Sequence, residues 1–377
     1  MVGNTPLIRL PELSRLTGCE IYAKAEFTNP GGSSKDRVAL AILRAAEQRG
    51  VLVPHTGATV YEGTVGSTGI SLAVLARALG YRCHIVMPDD VAMDKVSMLE
   101  RLGATVERVR PVSIIDPGHF VTVAKRRADA HHAHAVAAHG DSVGPVHGGA
   151  LFADQFENQD NWRVHFNTTG PEIWRQSAGG ALDAFVMGAG TGGTLAGVAR
   201  YLTARRQRER AAAGLAPTMP TDRFPDISMV LADPQGSGLF NKVVHGVLYA
   251  PTDAEGTRRR HQVDTVVEGV GLNRLTANFA TGLPFVQTAE RVTDQEAVDM
   301  ARYMLREEGF FIGSSSAVNL VAAVRTAKRL GPGKRIVTLM CDSGVRHTSK
   351  FWDDAYLRAQ GLETRAVGPS FIEDLLS

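Results

Sequence analysis

Four short stretches of this 377-residue chain bring together residue types that can do chemistry. The first is Asn29-Pro30-Gly31-Gly32-Ser33-Ser34-Lys35-Asp36-Arg37, a turn feeding a long helix. A lysine at a helix N-terminus lies in a positive local field, which lowers its pKa and leaves more neutral amine to attack an aldehyde. Taken alone, Lys35 reads more simply as a solvated surface group. The second stretch, Glu62-Gly63-Thr64-Val65-Gly66-Ser67-Thr68-Gly69, lies between a strand and a helix. Small and hydroxyl residues there expose backbone N–H donors to a carboxylate, although a tight turn with a threonine cap fits equally well.

The third stretch carries the strongest local signal. Phe185-Val186-Met187 leads into Gly188-Ala189-Gly190-Thr191-Gly192-Gly193-Thr194 and then into helix. Glycines let the backbone approach a phosphate, whose charge is met by amide hydrogens and the helix dipole. No P-loop lysine follows. Gly188, Gly190 and Gly193 satisfy G-x-G-x-x-G, but the acidic partner of a dinucleotide site, Asp233, is too distant for a compact βαβ unit. A phosphate monoester therefore suits the loop better than a pyrophosphate. The fourth stretch, Cys341-Asp342-Ser343-Gly344, ends the last strand, where ligands of open α/β sheets gather. Alone it is ordinary loop chemistry.

The elements that must position these stretches are legible in the hydrophobic periods. Strands are predicted over 21–27, 59–62, 83–87, 105–109, 184–187, 227–231 and 336–340. Helices are predicted over 36–48, 68–79, 94–102, 122–130, 194–204, 294–308 and 317–330. Short β-branched runs alternating with amphipathic stretches predict a mainly parallel sheet covered by helices. The length predicts two domains or one large α/β unit.

Composition narrows the function. With 41 basic and 39 acidic residues, the chain has no electrostatic footprint for nucleic acid or an anionic membrane. No apolar run approaches bilayer length, so no membrane partner is expected. Cys19, Cys83 and Cys341 lack C-x-x-C spacing, which argues against a disulfide framework or zinc knuckle and for a reducing compartment. His131, His132 and His134 lack the i, i+4 spacing of helical metal ligands and are read as a surface cluster; no metal site is expected. Arg205 to Asp226, and Pro251 to Val263 with Arg258-Arg259-Arg260, read as solvated surface insertions.

The order of the four stretches resembles the cysteine synthase and cystathionine β-synthase family of pyridoxal-phosphate enzymes. The resemblance runs from Gly3-Asn4-Thr5-Pro6-Leu7 through Gln155-Phe156-Glu157-Asn158, Thr168-Thr169-Gly170-Pro171-Glu172-Ile173 and Glu268-Gly269-Val270-Gly271 to Ser343. It is closest to the cysteine synthase branch, within a divergent fungal group. The resemblance implies the tryptophan synthase β-like fold, with two open, twisted, mainly parallel sheets flanked by helices and the cofactor in a cleft between two lobes. The smaller lobe would span 35–155, and the larger 1–34 plus 156–377. Pyridoxal 5′-phosphate is the implied cofactor, held covalently by Lys35, which would also move the substrate α-proton. Gly190, Thr191, Gly192, Gly193 and Thr194 would bind its phosphate, Ser67 would lie at its 3′-oxygen, and Ser343 would meet its ring nitrogen, with Asp342 as the rival for that role. Thr64, Gly66, Thr68 and Gln155 would grip the substrate carboxylate, and Gly269 would lie near the substrate amine.

The implied reaction is β-replacement, forming L-cysteine from O-acetyl-L-serine and sulfide, in a homodimer. Departures leave the donor and nucleophile open. Where the family reads Pro-Thr-Ser-Gly-Asn-Thr-Gly, this chain has Gly63-Thr64-Val65-Gly66-Ser67-Thr68-Gly69, so Val65 removes a hydroxyl and Ser67 replaces a longer amide. Alternatives are β-elimination from serine, threonine or cysteine, a cystathionine β-synthase-type reaction with a thiol, a silent cofactor-binding protein, or a nicotinamide dehydrogenase. The chain is expected to lack the regulatory module and haem ligand of cystathionine β-synthases. A cytoplasmic location is expected, or a mitochondrial one if a leader has been trimmed.

Overall fold

A computed structural model describes residues 1–139, 146–217, 226–250 and 265–377. They form two compact units, one from Asn29 to Asn161 and the other from Gly3–Thr28 with the described residues after Asn161. The described strands, in chain order, are β1 (Leu7–Arg9), β2 (Glu20–Ala25), β3 (Thr59–Gly63), β4 (Arg82–Pro88), β5 (Thr105–Val109), β6 (Ala150–Phe152), β7 (Ala184–Gly188), β8 (Ser228–Pro234), β9 (Thr288–Val292) and β10 (Arg335–Met340).

The smaller unit is built on a wholly parallel sheet ordered β5-β4-β3-β6. Every residue of β3 is buried, as expected for a parallel strand covered on both faces. Gly63 ends it where a Cβ would come within 2.5 Å of Val121 Cα, so only glycine lets the covering helix Phe120–His139 lie so close. The larger unit carries a six-stranded sheet ordered β1-β2-β10-β7-β8-β9, parallel except for β1 against β2. Its core includes the helix Ser314–Leu330, whose buried face is mostly Ala, Val and Ser. These small residues let a helix backbone lie close beneath the sheet.

All seven predicted strands and seven predicted helices form, with ends shifted mainly by one to several residues. Three strands went unread because β1 and β6 have three residues each, and β9 (Thr288-Ala289-Glu290-Arg291-Val292) lacks an apolar run. The helix expected over 294–308 stops at Tyr303 and widens into a π turn, Met304–Glu308, before Gly309 at φ 77°. Its start is a full capping box between Thr293 and Glu296.

The basic insertion needs correction. Arg205 to Ala212 is not loop but the second half of the helix Gly193–Ala212, since Arg, Gln, Glu and Ala all favour helix and Arg206 pairs with Glu209 at 3.1 Å. Residues 218–225 of that insertion, and the Arg258-Arg259-Arg260 run, lie outside the described residues. The histidine trio is corrected in part. His134 is exposed, but His131 accepts or donates at 3.0 Å with the Tyr61 hydroxyl, and His132 lies near the Ala150 amide, both on strands of the sheet.

The larger unit contains a buried ion pair that no periodicity signals. Lys24, in β2, is fully buried, with Nζ 2.8 Å from Glu172 Oε2 and donating to the Thr5 carbonyl and to Gln176 Oε1. Removing one member strands the other charge away from water. Lys24→Ala is expected to destabilise the protein by about 3–5 kcal/mol, read as a lowered urea midpoint.

Candidate active site

In the smaller unit, Lys35 is the first residue of the helix Lys35–Gln48 and is half-buried. The turn before it is held from inside the helix. Asp36 accepts a hydrogen bond from the Gly31 amide through Oδ2, and from the Ser71 hydroxyl through Oδ1 at 2.5 Å. Ser71 belongs to the helix Ser67–Ala78, so one carboxylate fixes the Lys35 turn against the helix that follows the Thr64–Gly69 loop. Asp36 looked like a first-turn helix acid in the sequence, and nothing in its spacing pointed to Ser71.

The residues expected to grip a carboxylate come together in this unit. Thr64 leaves β3 with its amide on the Val86 carbonyl, and its hydroxyl accepts from the Gly66 amide at 3.3 Å. Ser67 opens the next helix, and Thr68 donates through Oγ1 to Gln155 Oε1 at 2.5 Å. Gln155 is fixed in turn by Asn161, whose Nδ2 donates to its backbone carbonyl at 2.7 Å. Val65 is 39% exposed, so the side chain that departs from the family pattern faces away from the packed interior.

The larger unit carries the glycine loop and Ser343. The loop follows β7 and ends at the 20-residue helix Gly193–Ala212, whose first turn has no side-chain cap from its own N-cap residue. A Cβ on Gly190 would lie 2.0 Å from the Gly269 carbonyl oxygen, and Gly192 adopts φ 85° against Phe279. The Gly271 amide donates to the Ala189 carbonyl, and Thr276 Oγ1 donates to the Thr191 carbonyl at 2.7 Å. Gly269 and the glycine loop are thus one packed assembly.

Two residues missed in the sequence hold this assembly from behind. His165 is fully buried, with Nε2 3.1 Å from Thr194 Oγ1 and Nδ1 2.9 Å from Thr169 Oγ1. Asn319 accepts from the Gly188 amide at 2.7 Å and donates to the Leu339 carbonyl at 3.0 Å, joining the ends of β7 and β10. Neither lies within a motif. Asn319 is a buried amide on a helix whose other buried polar residues are serines and a threonine. Asp233, weighed as a dinucleotide partner, is spent on its own turn, accepting from the Phe240 amide at 2.7 Å; burial pushes its carboxyl up to about 7.

Asp342 and Ser343 follow β10 and differ in what they touch. Asp342 Oδ2 is 3.1 Å from His347 Nε2, while His347 Nδ1 is 3.2 Å from Glu268 Oε2. Burial works against the charged imidazole, but the two carboxylates outweigh it and hold His347 up at about 9. Ser343 makes only long contacts, donating to the Phe311 carbonyl and accepting from the Val345 amide, each at 3.4 Å.

Taken unit by unit, the groups present are of the kinds that pyridoxal phosphate requires. A helix N-terminus with buried Thr191 and Thr194 and no room for larger side chains suits a phosphate ester. A lysine at a helix start suits its carbonyl carbon, and a loosely held neutral hydroxyl suits its ring nitrogen. Among the described residues no group of three His, Cys, Asp or Glu is placed to hold a metal, and no helix is long and apolar enough to cross a membrane.

The model of the pyridoxal-phosphate dependent enzyme family matches residues 1–342. A Schizosaccharomyces pombe protein named cysteine synthase 2 is 53% identical over 362 residues, 96% of this chain and 85% of that protein. A Neurospora crassa protein of the same name is 56% identical over 364 residues, 96% of this chain and 74% of its own length. A solved O-acetylserine dependent cystathionine beta-synthase from Helicobacter pylori aligns with a TM-score of 0.69 at 27% identity, over 93% of this chain and 95% of that one. The likeness to cysteine synthases and the α/β fold expected from the sequence are both found.

The His347 bridge has a defined pH signature. Its folded pKa of about 9 exceeds the ordinary 6.5, so its contribution is full below 6.5 and is lost as pH rises through 9. The melting temperature of the protein is expected to exceed that of His347→Gln at neutral pH, with the gap closing above about pH 9, in parallel thermal melts.

Proposed function

The chain belongs to the pyridoxal-phosphate dependent enzyme family, and from that premise we propose that it forms L-cysteine from O-acetyl-L-serine and sulfide. The reading is carried by likeness over nearly the whole chain to proteins named cysteine synthase. Acetate leaves the substrate Cβ with the C–O bond electrons, and sulfide sulfur forms the new C–S bond there. Pyridoxal phosphate, when bound, supplies the electron sink that makes the substrate Cα–H acidic.

The residues of this chain do the rest. We assign to Lys35 the covalent attachment of the cofactor and, through Nζ, removal of the proton from the substrate Cα. Gly190, Thr191, Gly192, Gly193 and Thr194 hold the phosphate with backbone amides and hydroxyls. Ser67 lies at the cofactor 3′-oxygen. Ser343, rather than Asp342, meets the ring nitrogen, because the Asp342 carboxylate is already paired with His347. A neutral hydroxyl leaves that nitrogen largely unprotonated, which favours exchange of a β-substituent over transamination. Thr64, Gly66, Thr68 and Gln155 hold the substrate carboxylate, Gly269 lies near its amine, and closure of the Thr64–Gly69 loop excludes water. The protein works as a homodimer. Its three free, buried cysteines suit a reducing compartment, the cytoplasm or the mitochondrial matrix.

The printed name of the Helicobacter pylori neighbour includes O-acetylserine, which supports the donor, and cystathionine, which makes a thiol amino acid the second nucleophile to test. Product analysis with sulfide, with such a thiol and with neither separates replacement from β-elimination. Lys35→Ala is expected to lower turnover at least about 10³-fold and to abolish the pyridoxyl adduct that borohydride fixes on the tryptic peptide containing position 35. Retained turnover with the adduct on another lysine would overturn the assignment. Val65→Ser, which restores the hydroxyl of the family pattern, is expected to lower KM for O-acetylserine severalfold, corresponding to about 1 kcal/mol from one added hydrogen bond.

A further inference from the structure

Glu62 is the last residue but one of β3, directly before the Thr64–Gly69 loop, and it is fully buried. A carboxyl inside a parallel sheet is exceptional, because desolvation penalises its charged form unless hydrogen bonds answer it. Among the described residues, neither Glu62 oxygen has a hydrogen-bond partner of full geometry. Its surroundings are polar on one side only. The Gln155 side chain and the backbone amides of Asp154 and Gln155 lie close enough to favour its ionised form, while the Asp154 carboxylate opposes ionisation. On β4, the buried Cys83 thiol is held neutral by burial and by Glu62, and pushed up to about 12. Among the described residues, Asp154, after β6, and Cys83 are the titratable groups that act most on Glu62, and neither supplies a positive charge.

Gln155 is the common member of two contacts. Its Oε1 accepts from Thr68, and its side chain also approaches Glu62. With the carbonyl oxygen engaged, the amide hydrogens are the part of this side chain that can answer an anion. We infer that Glu62 is a positioning residue whose charge state sets substrate affinity: kept neutral, it lets the Gln155–Thr68 pair receive an amino-acid carboxylate, and ionised it repels that carboxylate and competes for the same amide. This inference rests on the reading of Thr68 and Gln155 as the carboxylate grip. Burial first, then Asp154, raises the Glu62 carboxyl from 4.5 to about 8, so the switch falls where an enzyme at neutral pH is in its receptive form.

The sign of the effect follows. An acid whose folded pKa is raised favours the folded state below its ordinary value of 4.5, and that advantage is lost as pH rises through about 8. Substrate binding should weaken over the upper part of the same range. Initial-rate measurements on the holoenzyme, at about pH 6.5 and about pH 8.5, should show KM for O-acetylserine rising about fourfold, as competition from a group titrating near 8 requires, with kcat changing less. Relative to Glu62→Gln measured at the same pH, the KM of the wild type should rise about fourfold between the two pH values, and because wild type and variant are compared at each pH, titration of substrate and sulfide cancels. An identical KM ratio in wild type and variant would overturn the inference.

If Glu62→Gln does not fold, the wild-type protein still answers. With ¹³C-labelled glutamate, one carboxyl resonance should titrate near pH 8, and glutamate resonances that all titrate below about pH 6 would overturn the inference. Gln155→Ala distinguishes the two levels of the argument. If it leaves KM unchanged at about pH 6.5, the carboxylate-grip reading itself fails; if it raises KM while the Glu62 comparison is flat, only the role of Glu62 fails.

Discussion

A side chain cannot stand at position 190, because its first carbon would lie 2.0 Å from the carbonyl oxygen of Gly269. That backbone-to-backbone approach is the constraint on which the geometry of the larger unit's glycine loop depends. It presses the loop after β7 against the segment before Thr276, and the hydrogen bonds from Gly271 to Ala189 and from Thr276 to Thr191 close the same contact from either side. The start of the helix Gly193–Ala212 is therefore held by packing. Asn319 extends the constraint to the end of β10, so the two strand termini that carry the loop and Ser343 share one buried amide.

Buried charge is the second organising principle, and it is used in three ways. Lys24 and Glu172 neutralise one another, with the Thr5 carbonyl and Gln176 satisfying the remaining donors of the ammonium. His347 is held charged between Asp342 and Glu268, which joins the turn after β10 to the residue before Gly269. Among the described residues no cation is one of the groups that act most on Glu62, and burial favours its protonated form. The first two arrangements are paired charges that fix geometry, whereas the third is an unpaired carboxyl at the end of β3, before the Thr64–Gly69 loop.

Much of this was legible from residue order. The glycine loop and the Thr64–Gly69 loop announce themselves as runs of small residues between a strand and a helix, where the backbone is able to approach a neighbour closely. The central parallel strands β3, β7 and β8 are legible as largely apolar runs, each buried on both faces. What escaped was set by contacts distant in sequence. Asp36 meets Ser71, His165 meets Thr194, and Asn319 meets Gly188 across 131 residues; each is a single polar residue in an unremarkable local setting. The pairing of Asp342 with His347, on which the proposed preference for Ser343 draws, was not legible, because their spacing carries no signal. The basic stretch from Arg205 was misread because charge without apolar period suggests a loop, although arginine and alanine are good helix formers.

The two sheets make different demands on synthesis. All four strands of the smaller unit lie between Thr59 and Phe152, a contiguous segment that can complete its hydrogen bonding while the ribosome is still at work. In the larger sheet β2, near residue 20, takes β10, near residue 340, as its parallel neighbour, and β10 alone joins β2 to β7. Until β10 emerges, β2 lacks its parallel neighbour in that sheet, and the edges of β2 and β7 that β10 covers stand open. The nascent chain must therefore carry unpaired strand edges from the synthesis of β2 until that of β10, a window in which chaperone contact or premature association with other chains has its opportunity.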